Sequence, residues 1–282
     1  MLGIIGGTGL YSIDGVEIVD EVKIDTPFGE PSDLFTHAKY NDNDVYFLPR
    51  HGRNHSLFPH EVNYRANIWA FKKLGVNKIL GVSAVGSLQE DLKPGDAVII
   101  NQYFDFIKGN REKTFFGEGL IAHISSAEPT CKSLASVIKK SSEKVDIDVH
   151  DEVVYACVDG PRLGTRAESF FLKNAVNAGV VGMTNVPEVF LAREAQICYC
   201  TIGVVTDYDC WQDEPEHFVT LSQVMERYGK SLSKVKQILS NVLSETISFN
   251  ECSCRMSLQD AVITPYDALA DNKKELLSLL KG

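Results

Sequence analysis

No apolar run in this chain approaches the roughly 20 residues that a membrane-spanning helix needs. The opening MLGIIGGTGL has neither a basic region ahead of its apolar residues nor a cleavage site. These absences lead to the expectation of a soluble, cytoplasmic protein with no membrane partner. Cations are also scarce: 28 Lys and Arg stand against 38 Asp and Glu, a formal net charge of -10, and the basic residues are scattered. A phosphate-backbone partner needs clustered cations, so no DNA or RNA is expected. The seven cysteines are an odd number in a chain too large to need staples, which argues against a secreted disulfide scaffold. A GxSxG elbow, a catalytic Cys-His signature, a local metal-ligand spacing, an internal repeat and a low-complexity linker are all missing.

What is present is 282 residues with 44% hydrophobic content, enough for one large domain with a substantial core. Short Val- and Ile-rich runs alternate with longer amphipathic stretches, the pattern of a parallel or mixed sheet with helices on its faces. The expected strands are LGIIG, DVYFLP, KILGVSAV, DAVIINQYFDF, EVVYACVDG, VVGMTNV and CYCTIGVVTDY. The expected helices are HEVNYRANIWAFKKLG, PTCKSLASVIKKSSEK, RAESFFLKNAV, PEVFLAREA, TLSQVMERYGKSLSKVKQILSNVLSE and a terminal segment after Pro265. The weakest join lies near Asn250, dividing a main domain of residues 1–250 from a helical tail of residues 251–282 packed on it. Cys198 and Cys200 alternate in an apolar strand and read as buried packing. Cys252 and Cys254 lie in the polar stretch NECSCRM and read as exposed thiols able to form a local bond under oxidising conditions. No histidine is near enough in sequence for a local zinc site, although spacing does not exclude ligands from elsewhere.

Ligands of open α/β sheets collect where strands end in loops, and four such places carry chemistry. The first is GGTG, Gly6 to Gly9, whose glycines let backbone approach an anion and whose Thr8 adds a hydroxyl. It lacks the third glycine of a dinucleotide fingerprint, because Ser12 stands there, and it lacks the lysine of a P-loop. The second is LPRHGRNH, where Arg50 offers a planar fork to an oxyanion and His51 a further donor. The third is SAVGSL, where Ser83 and Ala84 precede Gly86. The fourth is VVTDYDCW, where Asp207 and Asp209 fall on one side if the extended geometry persists through Tyr208. A partly apolar pocket raises a carboxyl pKa, so either acid is a candidate proton donor near neutrality. These features point to an α/β enzyme with an oxyanion pocket and a carboxylate pair, and they do not name its reaction.

The motifs IIGGTGL, DTPFGEPSD, RHGRNH, VNYRANIWA, PGDAVIINQ, DGPR, RAESFF, MTNVPEVFLAREA and TDYDCW run in order from Ile4 to Trp211. Together they resemble the 5'-methylthioadenosine phosphorylases of the trimeric purine nucleoside phosphorylase family. The resemblance implies a single α/β domain with a mixed, partly barrel-like central sheet flanked by helices, assembled as a homotrimer or a pair of trimers. It implies a phosphate site at Thr8, Arg50, His51, Ser83, Ala84 and Thr184, a ribose contact from Met183, and adenine recognition by Asp207 and Asp209. His123 matches a residue that reaches toward the ligand of a neighbouring subunit, and Gly164 and Leu221 stand at positions that set substrate specificity. Inorganic phosphate would be a co-substrate, with no metal and no organic cofactor. Leu163 and Gly164 depart from the aromatic and serine that relatives often carry after GPR.

Three alternatives stand beside this reading. A phosphorylase of 6-oxopurine nucleosides, such as inosine or methylthioinosine, rests on that altered Leu163–Gly164 pair. The acid pair opposes it, because a carboxylate accepts from a 6-amino group and repels a 6-oxo group. A dinucleotide-dependent oxidoreductase fails on the incomplete glycine fingerprint. A non-catalytic nucleoside-binding protein would leave the anion-binding residues without a use.

Overall fold

The computed structural model describes the chain except residues 8–9, 11–12, 42, 213–220 and 246–251, and the side chains of residues 221–225. Among the described residues, nine strands form one sheet: β1 (Leu2–Gly6), β2 (Glu17–Val22), β3 (Phe35–Tyr40), β4 (Asn43–Pro49), β5 (Lys78–Ser87), β6 (Ala97–Asp105), β7 (Val149–Cys157), β8 (Val180–Gly182) and β9 (Cys198–Tyr208). Their spatial order is β2-β3-β4-β1-β5-β8-β7-β6-β9, and β9 also pairs with β5. That extra pairing closes β5, β8, β7, β6 and β9 into a five-stranded barrel, with the other four strands fanning out from β5. β4, β1, β5 and β9 are mutually parallel, so their C-terminal ends open at the same rim.

Alternation along the shared strands separates two cores. In β5, Ile79 and Val85 face one cluster while Leu80 and Val82 face another. In β9, Tyr199 and Val205 join the first, and Cys198, Cys200, Ile202 and Val204 the second. This is the period of two that a strand buried on both faces requires. Among the described residues, six α-helices cover the sheet: α1 (Tyr64–Lys73), α2 (Lys132–Ser142), α3 (Arg166–Asn174), α4 (Asn185–Glu194), α5 (Leu221–Ser244) and α6 (Asp271–Lys281). Among the described residues no helix is long and apolar enough to cross a membrane.

Every expected strand and helix has a counterpart among the described residues, most with ends shifted by a few residues, and β2 and β3 are unforeseen. VVGMTNV is extended only through Gly182, and Asn185 already begins α4. Met183 and Thr184 therefore sit at a strand-to-helix joint. β2, with the sequence EIVDEV, is almost wholly exposed at the sheet edge, so its charged residues mask the alternation. α1 and α3 start where local capping dictates. Asn63 accepts from the Ala66 amide, and Thr165 forms a capping box with Glu168.

The C-terminal segment packs into the same cores as the main domain. Leu258, Leu269, Leu276, Leu277 and Leu280 join the first cluster and Cys254 the second. One expectation is overturned here: Cys254 is buried and Cys252 half-buried, because this short turn folds against the start of α2 and β9 rather than into solvent. None of the seven cysteines is joined in a disulfide.

Barrel closure depends on close backbone approach at Gly203 of β9. A β-carbon built there would lie 2.6 Å from Val98 Cγ2 and 3.2 Å from Val85 Cγ2, and these valines belong to the two strands that flank β9. Gly203→Ala is expected to destabilise the fold by about 1–3 kcal/mol through overpacking. The check is the urea unfolding midpoint, and an unchanged midpoint would mean the barrel wall yields freely.

Candidate active site

The parallel strand ends bring the loops after β1, β4, β5 and β9 together. Gly6 lies opposite Pro49 in the β1–β4 register, and the Arg50 amide donates to the Gly6 carbonyl at 2.8 Å. Ser83 of β5 and Thr184 of the α4 joint meet with their hydroxyl oxygens 3.4 Å apart. Ala84, next in line, is exposed at the rim. Four expected anion-site residues, Arg50, Ser83, Ala84 and Thr184, thus stand at one mouth. Thr8 lies outside the described residues.

Arg50 is buried, and each of its five N–H groups is engaged within the protein. It grips Glu188 of α4 with two bonds, Nε to Oε2 at 2.7 Å and Nη2 to Oε1 at 2.8 Å. The others go to the carbonyls of Val82 at 2.9 Å and Ile5 at 3.3 Å and to Ser83 Oγ at 3.3 Å. Burial works against the guanidinium charge, but the Glu188 carboxylate more than offsets it and holds the Arg50 pKa above its ordinary value. Tyr199 from β9 donates to Glu188 Oε1 at 2.7 Å, completing that carboxylate. Arg50 is therefore a positioning residue first. A bound anion would have to exchange with an existing partner, and the bonds to the Ile5 carbonyl and Ser83 Oγ, both 3.3 Å, are the longest of the five.

His51 differs from its expected role. Its Nδ1 lies 2.8 Å from the Leu57 carbonyl, an acceptor, so the proton sits on Nδ1. Burial, reinforced by the Arg50 charge, pushes its pKa down to about 4 and leaves the ring neutral. The remaining nitrogen, Nε2, is thus a hydrogen-bond acceptor and not the donor expected from sequence.

The other end of the rim is acidic. β9 stays extended through Tyr208, and both carboxylate-bearing residues converge on Gly86. A β-carbon on Gly86 would lie 3.3 Å from Asp207 Oδ2 and 3.6 Å from Asp209 Cβ. The register of β5 against β9 shifts between Val85 and Gly86, and this bulge aims the pair. Burial raises the Asp207 carboxyl to about 6; the Thr206 hydroxyl, donating at 2.6 Å, opposes the rise, and the Asp209 charge adds to it. Burial raises Asp209 as well. A β-carbon at Gly164 would lie 3.9 Å from Asp209 Oδ2, placing the expected specificity position against this acid.

Met183 is half-buried at the joint, and a β-carbon built on Gly160 in the DGPR loop would meet its sulfur first. Arg111 secures this wall, donating to the carbonyls of Met183 at 2.7 Å, Val186 at 3.0 Å and Asp159 at 2.7 Å. His123 is exposed, and its amide donates to the Ala261 carbonyl at 2.9 Å, apart from this cluster within the chain. Leu221 is the first residue of α5, and its side chain lies outside the description.

Three contributors escape a reading of motifs alone. Glu188 had a signal, an acid within the apolar stretch VPEVFLA, which is costly unless paired. Tyr199 and Arg111 had none, since their partners are backbone or distant side chains.

Comparison with known proteins places these residues in context. The family described as the phosphorylase superfamily matches residues 1–244. The S-methyl-5'-thioadenosine phosphorylase of Nitrosopumilus maritimus is 45% identical over 92% of this chain and 97% of its own length. The enzyme of the same name from Geobacter sulfurreducens is 42% identical over 100% of this chain and 98% of its own. The crystal structure of a methylthioadenosine phosphorylase sourced from an Antarctic soil metagenomic library superposes with a TM-score of 0.91 at 40% identity, covering 99% of this chain and 98% of that one.

The buried pair makes a sharp expectation about stability. Arg50→Ala strands the Glu188 charge and should destabilise the fold by about 3–5 kcal/mol, beyond any loss of anion affinity. The double replacement Arg50→Met/Glu188→Leu should regain most of that stability while phosphate binding stays lost. Thermal unfolding with isothermal titration of phosphate checks both. An Arg50→Ala protein as stable as the parent would assign the guanidinium to the anion alone.

Proposed function

The chain belongs to the phosphorylase superfamily, and from that membership we propose that it is a pentosyltransferase cleaving S-methyl-5'-thioadenosine with inorganic phosphate, releasing adenine and 5-methylthioribose 1-phosphate for methionine and purine salvage. The observation that carries this reading is the spacing of two polar centres along β5. Ser83, bonded to Arg50, and Gly86, faced by Asp207 and Asp209, are three residues apart, about 10 Å of strand. That interval suits a nucleoside whose base meets the acids and whose C1' faces an anion.

In this mechanism phosphate is held beneath C1' by the Ser83 and Thr184 hydroxyls, the amides around Ala84, the Thr8 loop and one Arg50 N–H released from Ser83. The contribution is orientation and charge placement. The phosphate's own charge stabilises the oxocarbenium-like ribose as the bond to the base lengthens, so no organic cofactor or catalytic metal enters the chemistry. Met183 lies against the ribose. His51 Nε2 accepts a hydrogen bond from an O–H of phosphate or sugar. Asp207, whose carboxyl sits near 6, donates its proton toward purine N7, and Asp209 accepts from the 6-amino group.

Assembly belongs to the same proposal. His123 is exposed two residues after Ile121, which is itself exposed and bonded backbone to backbone with the exposed Ile263. This supports a homotrimer or pair of trimers in which the segment meets a neighbour's nucleoside, in a cytoplasmic enzyme. The primary test supplies methylthioadenosine, adenosine, inosine and methylthioinosine with and without phosphate. Phosphate-dependent release of adenine is expected, and its absence would overturn the proposal.

Two further outcomes follow for Asp207. Because the acid must be protonated in the free enzyme, kcat/KM is expected to fall as pH rises through about 6, and Asp207→Asn should erase that limb while the ionisation of phosphate persists. The amide cannot deliver a carboxylic proton but can meet a 6-oxo oxygen, so turnover of adenine nucleosides should fall more than that of hypoxanthine nucleosides. A buried polar mismatch of about 1–3 kcal/mol corresponds to a shift of roughly ten- to a hundredfold in the ratio of kcat/KM. An unchanged ratio would move base recognition to Asp209 or to the Leu163–Gly164 loop.

A further inference from the structure

Four of the seven cysteines come from three separated stretches of chain and meet at one point. Cys131 precedes α2, Cys198 opens β9, and Cys252 and Cys254 bracket the start of a short 3-10 turn (Ser253–Met256). Their four sulfur atoms all lie within 4.8 Å of one another, and Cys131 Sγ is 3.6 Å from Cys252 Sγ. Cys131, Cys198 and Cys254 are buried, and Cys252 is half-buried. Cys157, Cys200 and Cys210 stay outside the group.

Distance separates the chemical meanings of such a cluster. A disulfide joins two sulfurs at about 2.05 Å and sets them apart from any others. An iron–sulfur cluster places several atoms between its thiolates and needs wider spacing. A single tetrahedral zinc ion, with Zn–S of about 2.3 Å, spaces its four sulfurs at roughly 3.8 Å on every edge. The 3.6 Å between Cys131 and Cys252, with all four sulfurs inside 4.8 Å, matches that last arrangement and neither of the others. Soft thiolates without carboxylate or water also select zinc among the common divalent ions.

The surroundings suit the charge such a centre would carry. Four thiols binding one divalent zinc release four protons and leave two negative charges on the assembly. The Arg193 guanidinium of α4 lies 3.9 Å from Cys254 Sγ through Nη1. Cys131 stands at the N-terminus of α2, whose dipole favours a negative group. The Cys131 amide donates to the Tyr199 carbonyl at 2.9 Å, fixing the helix start against β9.

We propose that Cys131, Cys198, Cys252 and Cys254 form a structural site for one zinc ion, which fastens the C-terminal segment to the barrel. With four protein ligands the coordination sphere is closed, so the ion takes no part in catalysis. It also lies at the opposite end of β9 from Asp207, about 30 Å along the strand. Its mechanical reach is longer. Residues beyond the turn pair with the His123 segment, through the bridge of Ala122 with Val262 and the bond from the His123 amide to the Ala261 carbonyl. The centre therefore holds the support of that segment.

The test uses the full chain, purified without a metal-binding tag in reducing buffer free of chelator, with metal measured by mass spectrometry. About one zinc per chain is expected, with none retained by Cys198→Ser or Cys254→Ser and no change in Cys210→Ser. Should the cluster variants fail to fold, the parent still decides the matter. A mercurial reagent that displaces thiolate-bound zinc, followed by reduction and addition of cobalt, should yield the visible absorption of a tetrahedral cobalt tetrathiolate. The metal-free protein should melt lower by roughly 5 °C or more and recover on adding zinc. Metal-free protein whose four thiols titrate as free groups, or two disulfides found among these cysteines by peptide mapping, would overturn the proposal.

Discussion

Arg50 cannot leave β4, nor Glu188 leave α4, without stranding a charge in a space that water does not reach. Their two-pronged contact ties the end of one strand to the start of a helix that follows 138 residues later in the chain. The carbonyls of Ile5 and Val82 and the hydroxyls of Ser83 and Tyr199 are arranged around it, so strands β1, β4, β5 and β9 share one polar knot. Such a pair adds little net stability against an apolar filling of the same shape, but it permits only one arrangement of its neighbours. The rim that carries the proposed chemistry inherits its geometry from that restriction.

The acid pair at the other end of the rim depends on a different constraint. β9 is buried for nine residues before Asp207, so it delivers its two carboxyls into a partly dehydrated space. The same burial that forms the barrel core raises their proton affinity. Packing and acidity at this rim therefore have a common origin, and a change that lets water reach the end of β9 would lower the Asp207 carboxyl toward the ordinary carboxylate range.

Much of this arrangement was legible in the residues themselves. Runs of five to eleven mostly apolar residues revealed seven of the nine strands, because burial on both faces leaves a strong signal in β1, β5 and β9. β2 hid behind its charges, and the joint after β8 hid because Val, Met and Thr suit a strand until Thr184 turns the chain into α4. At the site, Arg50, Ser83, Asp207 and Asp209 stood out as polar residues directly after apolar runs. Their partners did not: nothing local in the chain tells that Arg50 is consumed by Glu188 or that His51 turns its proton toward Leu57. The paired cysteines likewise read as exposed, because their burial comes from Cys131 and Cys198, more than fifty residues away.

The tautomer of His51 carries a consequence for anion choice. With its proton committed to the Leu57 carbonyl and its pKa near 4, the ring offers the proposed anion pocket only a lone pair. Hydrogen phosphate at neutral pH has one O–H to place against that nitrogen, whereas sulfate, similar in size and charge, has none and would set oxygen against nitrogen with no proton between them. Two anions that look alike to a guanidinium are thereby told apart by a neutral ring, and a site shielded by burial can reject the one of two abundant tetrahedral ions that carries no proton without any added charge.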